Sequence, residues 1–140
     1  MDRKITNAKE YLSQIRTINI KLKSLVRQRQ ALEDSLLNTS PKLSHMPKAP
    51  SPNVHRMDGL IAAKLDIENK MEAASVKLAE LHKTIAAIQK YELCAILTYR
   101  YVDRLQWADI ATNLYIGVSR VYQLHREALT EVEKVMNKAA

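Results

Sequence analysis

Two stretches of the chain repeat one helical face at alternating steps of three and four residues, one on each side of a proline cluster. The first seam comprises Ala8, Tyr11, Ile15, Ile18, Leu22, Leu25, Arg29, Leu32 and Leu36. The second comprises Met57, Leu60, Lys64, Ile67, Met71, Ala74, Leu78, Leu81, Ile85 and Ile88. Such a spacing, sustained over several heptads, is typical of helices that pack along a seam. The pattern therefore predicts two long helices, each of which needs a partner helix.

The proline cluster separates the two predicted helices. Pro41, Pro47, Pro50 and Pro52 stand among Ser, Thr, Asn and Lys residues. Proline in a helix interior removes a hydrogen bond and clashes with the preceding turn, so no helix crosses this segment. We expect a Pro-rich loop over residues 38–55 and a second helix that begins near His55 or Arg56.

An antiparallel return of the chain at this loop brings the two seams into register. The paired layers are Leu36 with Met57, Leu32 with Leu60, Arg29 with Lys64, Leu25 with Ile67, and Leu22 with Met71. The charged seam residues of both helices thus fall in one layer, which favours this alignment. Since both are cations, we expect each to reach water or an acid such as Glu33, Asp66 or Glu68.

A two-helix hairpin covers only one side of each seam. Further apolar residues remain on its surface, namely Ile20, Val26, Leu37, Ile61, Leu65 and Val76. They could receive another copy of the chain, so we expect a homodimer or higher homo-oligomer that forms through the hairpin.

The C-terminal third of the chain predicts a compact three-helix unit. Residues 91–102 fit a first helix, and residues 102–104 fit a turn. Two more helical patterns follow, Trp107/Ile110/Ala111/Leu114 and Val118/Val121/Leu124/Leu129, with a short break at residues 115–117 between them. This is the layout of a helix-turn-helix, which starts here at Leu105 or Gln106 and ends with a helix from about Gly117 toward Asn137. We therefore expect an all-α protein with a helical hairpin over residues 1–90 and a helix-turn-helix domain over 91–140.

Composition excludes several function classes. The chain has no Phe, two Gly and one Cys, which favours helix and rules out an internal disulfide framework. Its histidines show no spacing that converges on a metal, and no nucleophile–base pair or glycine loop is present. With no run approaching a membrane span, we expect a cytoplasmic protein of a bacterial host cell that is not an enzyme and needs no cofactor or metal.

The net charge of +7 fits a polyanionic partner, although its distribution is uneven. Residues 1–55 carry 10 Lys and Arg against 4 Asp and Glu, whereas residues 91–140 carry 6 against 6. A helix-turn-helix with balanced charge binds DNA weakly by itself, because neutralising phosphates supplies much of the affinity. We expect deletion of residues 1–55 to lower DNA affinity without changing the preferred sequence.

The C-terminal segments L-T-Y-R-Y-V, W-A-D-I-A-x-x-L and V-x-x-L-H-x-x-A-L resemble region four of bacterial primary sigma factors. They are more similar still to small phage-encoded regulators, the ArpU-like late-gene activators. The resemblance implies a sequence-specific double-stranded DNA-binding regulator of transcription in a phage or prophage setting, with host RNA polymerase as a candidate partner. It also matches a buried framework at Trp107, Ile110, Ala111, Leu114, Val121, Leu124 and Leu129.

The last helix carries the candidate DNA-binding residues. Val118, Ser119, Tyr122 and Gln123 take the groove-facing positions, with Arg120 and Arg126 at the flanks. We expect four arginines to contact phosphates, namely Arg100, Arg104, Arg120 and Arg126. Gly117 replaces the usual Ser or Thr at the helix start. Tyr115 stands where the family has Gly, which predicts a turn that is built differently.

A second hypothesis belongs to a different class. In it the hairpin binds a protein partner and the C-terminal helices serve only as a dimer cap. The balanced charge of residues 91–140 fits this helical interaction protein better than it fits a DNA reader.

Overall fold

A computed structural model describes residues 2–39 and 53–139, and these residues form five α-helices. They are α1 (Asp2–Thr39), α2 (Asn53–Ala86), α3 (Tyr91–Leu97), α4 (Trp107–Leu114) and α5 (Val118–Ala139). A π-helical turn at Thr98–Val102 extends α3. The predicted all-α fold, a helical hairpin followed by a helix-turn-helix unit, is confirmed. Residues 40–52 of the predicted loop lie outside the described residues.

Two helix starts differ from those predicted. Helix α2 begins at Asn53, ahead of His55. Helix α3 begins at Tyr91 as predicted, after a break at residues 87–90 in which Lys90 has an extended backbone (φ −72°, ψ 117°). Helix α4 begins at Trp107 because Gln106 is also extended (φ −70°, ψ 154°). The backbone conformation of single residues such as Gln106 therefore determines where a helix starts. The spacing of apolar residues does not contain this information.

Both predicted seams are the buried faces of their helices. Every seam residue from Ala8 to Leu36 and from Met57 to Ile88 is buried or half-buried. The charged layer also forms as expected. The Glu33 carboxylate lies 3.6 Å from Lys64 Nζ and 3.8 Å from Arg29 Nε, so one acid serves both cations.

The helices contribute to two compact units. Unit 2, Ile20–Val76, contains the middle of the seams, where Leu25, Ile67 and Ala74 are buried. Unit 1 combines Met1–Asn19 with Lys77–Ala140.

Unit 1 has one continuous apolar core. From α1 it takes Ala8, Leu12 and Ile15, and from α2 it takes Leu81 and Ile85. Ile88, in the break after α2, is also a member. The other buried members come from the C-terminal segments: Leu93, Ile96, Leu97, Tyr101, Ile110, Ala111, Val121, Leu124, Ala128, Leu129 and Val132. The helix-turn-helix thus packs on the first turns of α1 and the last turns of α2, so unit 1 draws on both sides of the predicted division at residue 90.

None of the described helices combines the length and the apolar character that a membrane crossing requires.

Candidate nucleic-acid interface

The turn between α4 and α5 is a left-handed helix cap formed by a tyrosine. Tyr115 has φ 59° and ψ 38°. Its N–H donates to the Thr112 carbonyl at 3.3 Å, and the Ile116 N–H donates to the Ala111 carbonyl at 3.1 Å. This pair of hydrogen bonds is the Schellman motif, in which Gly usually takes the left-handed position. The prediction of a differently built turn was therefore wrong, because Tyr115 adopts the glycine conformation.

Helix α5 starts at Val118 with Gly117 as its cap. The Gly117 carbonyl accepts hydrogen bonds from the N–H groups of Arg120 and Val121, both at 3.1 Å. Glycine has no side-chain oxygen to bond the next free N–H groups, so this helix start leaves backbone donors available to water or an anion.

Helix α5 has one buried and one exposed face. Its buried stripe comprises Val121, Leu124, His125, Ala128, Leu129 and Val132. The matched framework residues of α4 and α5 are all buried or half-buried, with Trp107 and Leu114 in the second class. The predicted groove-facing and flanking residues of α5 are all exposed, namely Val118, Ser119, Arg120, Tyr122, Gln123 and Arg126. The structure thus brings these six candidates onto the outer surface of one helix.

Charge is distributed unevenly along α5, although residues 91–140 balance as a whole. Between Val118 and Arg126 the only formally charged side chains are Arg120 and Arg126. The first acid of the helix is Glu127. The positive end of the helix dipole lies at the same end as the arginines. The exposed surface of residues 118–126 is therefore locally cationic.

Arg120 orients the candidate base-reading amide. Its Nη1 donates to Gln123 Oε1 at 3.2 Å. The Gln123 oxygen keeps a second lone pair, and its amide nitrogen keeps both donors. A glutamine with one donor and one acceptor presented together can pair with the edge of adenine.

Arg100 has a structural contact that the sequence did not predict. Its guanidinium carbon lies 4.3 Å from the centre of the Trp107 ring, and its Nη1 donates to the Leu105 carbonyl at 3.0 Å. The side chain is half-buried and bridges the turn that contains Arg104, whose φ is 61°. Arg104 itself is exposed. Arg100 therefore stabilises the turn that precedes α4, while the Arg104 side chain is accessible to solvent.

Beneath this surface, a buried hydrogen bond joins Tyr101 Oη to His125 Nε2 at 2.8 Å. Burial lowers the pKa of His125 to about 4, and the positive charges of Lys9 and Arg100 act in the same direction. Burial raises the pKa of Tyr101 to about 12, partly offset by the charge of Arg100. Both side chains are thus neutral near pH 7, and the pair ties α5 to the π-helical turn.

Aromatic contacts connect this pair to the exposed face. The Trp107 ring centre lies 4.6 Å from that of His125 and 5.3 Å from that of Tyr122. The sequence predicted only that the histidines, His125 among them, do not converge on a metal, and it did not predict this packing role. The signal was available, since His125 continues the 3-4 spacing of Val121 and Ala128.

Together, the fold and the exposed face of α5 define an all-α protein with a helix-turn-helix unit. The chain belongs to the family described as "Protein of unknown function (DUF1492)", whose model matches residues 54–133. The match starts within α2 and ends within α5, so it covers the helix-turn-helix together with the second hairpin helix. No curated protein and no solved structure matches the chain.

Proposed function

We propose that this protein is a sequence-specific double-stranded DNA-binding regulator of transcription that reads the major groove with α5. We further propose a phage or prophage setting, like that of the ArpU-like activators. The observation that carries the proposal is the start of α5, residues 118–126, where the exposed residues include two arginines and no acid. In helix-turn-helix proteins the N-terminal residues of the second helix contact base edges.

Four exposed side chains supply the proposed base contacts. Gln123, oriented by Arg120, pairs with adenine through its amide. Ser119 contacts a base edge with its hydroxyl, and Val118 packs on a thymine methyl. Tyr122 is half-exposed beside Trp107 and reaches a base or a phosphate with its phenol.

Arginines supply the proposed phosphate contacts. Arg126 and Arg104 are exposed and offer planar, bidentate donors. Phosphate contacts set the position of the protein on DNA but carry no sequence information. Arg100 is a weaker candidate for this role, because one of its donors is already bonded to Leu105.

Selection of bound duplexes from a random pool tests the proposal and supplies a preferred site. Fluorescence anisotropy on that site and on mutated sites then separates the two kinds of contact. We expect Gln123→Ala to lower discrimination at one base pair by about 1–3 kcal/mol. We expect Arg126→Ala to weaken binding to all duplexes alike and to reduce the salt-dependence slope by roughly one unit.

Lys70→Ala is the matched charge control, because Lys70 lies in unit 2, 3.2 Å from Asp66. It should leave both the affinity for duplex DNA and the salt-dependence slope unchanged. Absence of any binding to duplex DNA at low salt would contradict the proposal. That result would favour the second candidate, a helical interaction protein. The balanced charge of residues 91–140, with six acidic and six basic side chains, also fits that candidate.

A further inference from the structure

Unit 2 exposes a set of large apolar side chains. They are between 44% and 72% exposed, and they comprise Ile20, Val26, Leu37, Ile61, Leu65 and Val76. All six belong to the segment Ile20–Val76. Their positions on the two helices decide whether they form one surface.

Heptad positions locate these side chains. With the seam residues at a and d, Val26 and Ile61 take position e, and Leu37 and Leu65 take position b. Positions e and b follow a at about 40° and 100° around the helix, so both lie on the same flank of the seam. Ile20 takes the outermost position, f, as does Val76 on α2. Among the described residues, none of the six stands at c or g on the other flank.

The e flanks of α1 and α2 lie on the same side of the pair, because the helices run antiparallel. Glu33 at position e of α1 lies 3.6 Å from Lys64 in the seam of α2, so the e flank of α1 borders α2. Val26, Leu37, Ile61 and Leu65 therefore share one surface, which we call the apolar flank.

Unit 2 buries few side chains by itself. Leu25, Ile67 and Ala74 are its buried apolar residues within the described segments, and the neighbouring seam residues are only half-buried. Two helices without a third layer exclude little surface from water, and small units gain stability from added partners. A further helical layer on the apolar flank would complete this core.

Charges on the same flank indicate what that layer is. Lys23 stands at position b of α1, while Glu68 and Glu72 stand at e and b of α2, and all three are exposed. Since Leu22 pairs with Met71, Lys23 lies level with the gap between the two glutamates. Glu33, at position e of α1, is already paired with Arg29 and Lys64. At the level of Leu22 and Met71, the flank is thus cationic on α1 and anionic on α2.

We propose that a second copy of this chain docks on the apolar flank, with α1 of each copy over α2 of its partner. A twofold axis parallel to the helices gives this arrangement, and it brings Lys23 against the partner's Glu68 and the partner's Glu72. It also brings Val26 to within about one helical turn of the partner's Leu65. A twofold axis across the helices would instead stack α1 on α1 and oppose like charges. This interface does not depend on DNA binding.

Sedimentation equilibrium of the full chain tests the surface. We expect a dimer at micromolar concentration, and a Leu65→Glu variant whose dimer dissociation constant is raised by roughly a hundred-fold, because the new charge is buried without a partner. Ala73→Glu places the same charge at an exposed position c on the other flank and should leave the constant unchanged. A monomeric wild-type chain, or equal effects of the two variants, would overturn the proposal.

A charge exchange tests the arrangement. Lys23→Glu alone, and Glu68→Lys with Glu72→Lys, should each raise the dissociation constant by about ten-fold. The three substitutions together restore the attraction and should return the constant to near the wild-type value. Circular dichroism verifies that each variant keeps its helix content. If the triple variant stays as weak as the others, α1 does not lie over α2 of the partner.

Discussion

At the level of single residues, His125 is a titratable side chain that packs in the hydrophobic core of the helix-turn-helix unit. Its ring is 8% exposed, bonded to Tyr101 and packed against Trp107. A neutral imidazole can form the hydrogen bond to Tyr101 without burying a charge. A protonated imidazole would be a buried charge near the positive charges of Lys9 and Arg100. The helix therefore carries a pH-dependent contribution to its own stability.

We expect the free energy of unfolding to fall by about 3 kcal/mol on His125 protonation. The pKa of His125 is about 4 in the folded protein against 6.5 in the unfolded chain, so protons bind the unfolded state preferentially between these values. This contribution is complete above pH 6.5 and is lost as the pH falls toward 4. Urea unfolding at a series of pH values measures it.

Two variants isolate the effect of His125 from that of the acids. His125→Gln keeps a neutral hydrogen-bonding group and should have a flatter stability profile between pH 6.5 and 4. His82→Gln, at an exposed position, should follow the wild-type profile. Parallel profiles for wild type and His125→Gln would contradict the assignment.

At the scale of the elements, the positions of α4 and α5 depend on two left-handed residues that are not glycine. Tyr115 ends α4, and Arg104 lies in the turn before it. A left-handed conformation costs a residue with a Cβ roughly 1–2 kcal/mol. Hydrogen bonds compensate at both places: the Schellman pair at Tyr115, and the bond from Arg100 to the Leu105 carbonyl beside Arg104.

Arg100→Ala should therefore lower the free energy of unfolding by about 1–2 kcal/mol, through loss of the stacking on Trp107 and of the bond to Leu105. Arg100→Lys should recover little of this, because an ammonium cannot stack and bond in the same plane. Thermal unfolding followed by circular dichroism measures both variants. Arg104→Ala, at an exposed position, is the control and should change stability by less than about 0.5 kcal/mol. Equal effects at the two arginines would exclude the structural role of Arg100.

At the scale of the whole molecule, the helix-turn-helix shares its core with the ends of the long helices. Ala8, Leu12 and Ile15 of α1 are buried in the same cluster as Ile110 and Val121. The expectation that deletion of residues 1–55 lowers DNA affinity without changing the preferred sequence remains a prediction. Such a deletion removes part of the core, so loss of binding would report unfolding.

Substitution at a single position gives a cleaner result. Leu12 is fully buried, and Leu12→Ala should lower the free energy of unfolding by about 2–5 kcal/mol through lost burial and a cavity. Trp107, the only tryptophan, reports on the C-terminal helices by its fluorescence. Ile20→Ala, at a 54% exposed position on the same helix, should have an effect within about 0.5 kcal/mol. An unfolding transition of Trp107 that is insensitive to Leu12→Ala would show that the C-terminal helices fold independently.

The sequence by itself determined the helices, their buried faces and the exposed face of α5. These follow from a period of three to four residues, which is a local property that each helix displays along its own length. It also located the Arg29–Lys64 layer, because charged residues in an apolar seam are conspicuous.

Only the tertiary structure decided how distant segments meet. Contacts of Leu12 with the C-terminal core, of Arg100 with Trp107 and of His125 with Tyr101 depend on the geometry between elements, and periodicity does not contain that geometry. The left-handed backbone of Tyr115 is a similar case, since the surrounding packing and hydrogen bonds impose it against the preference of the residue itself.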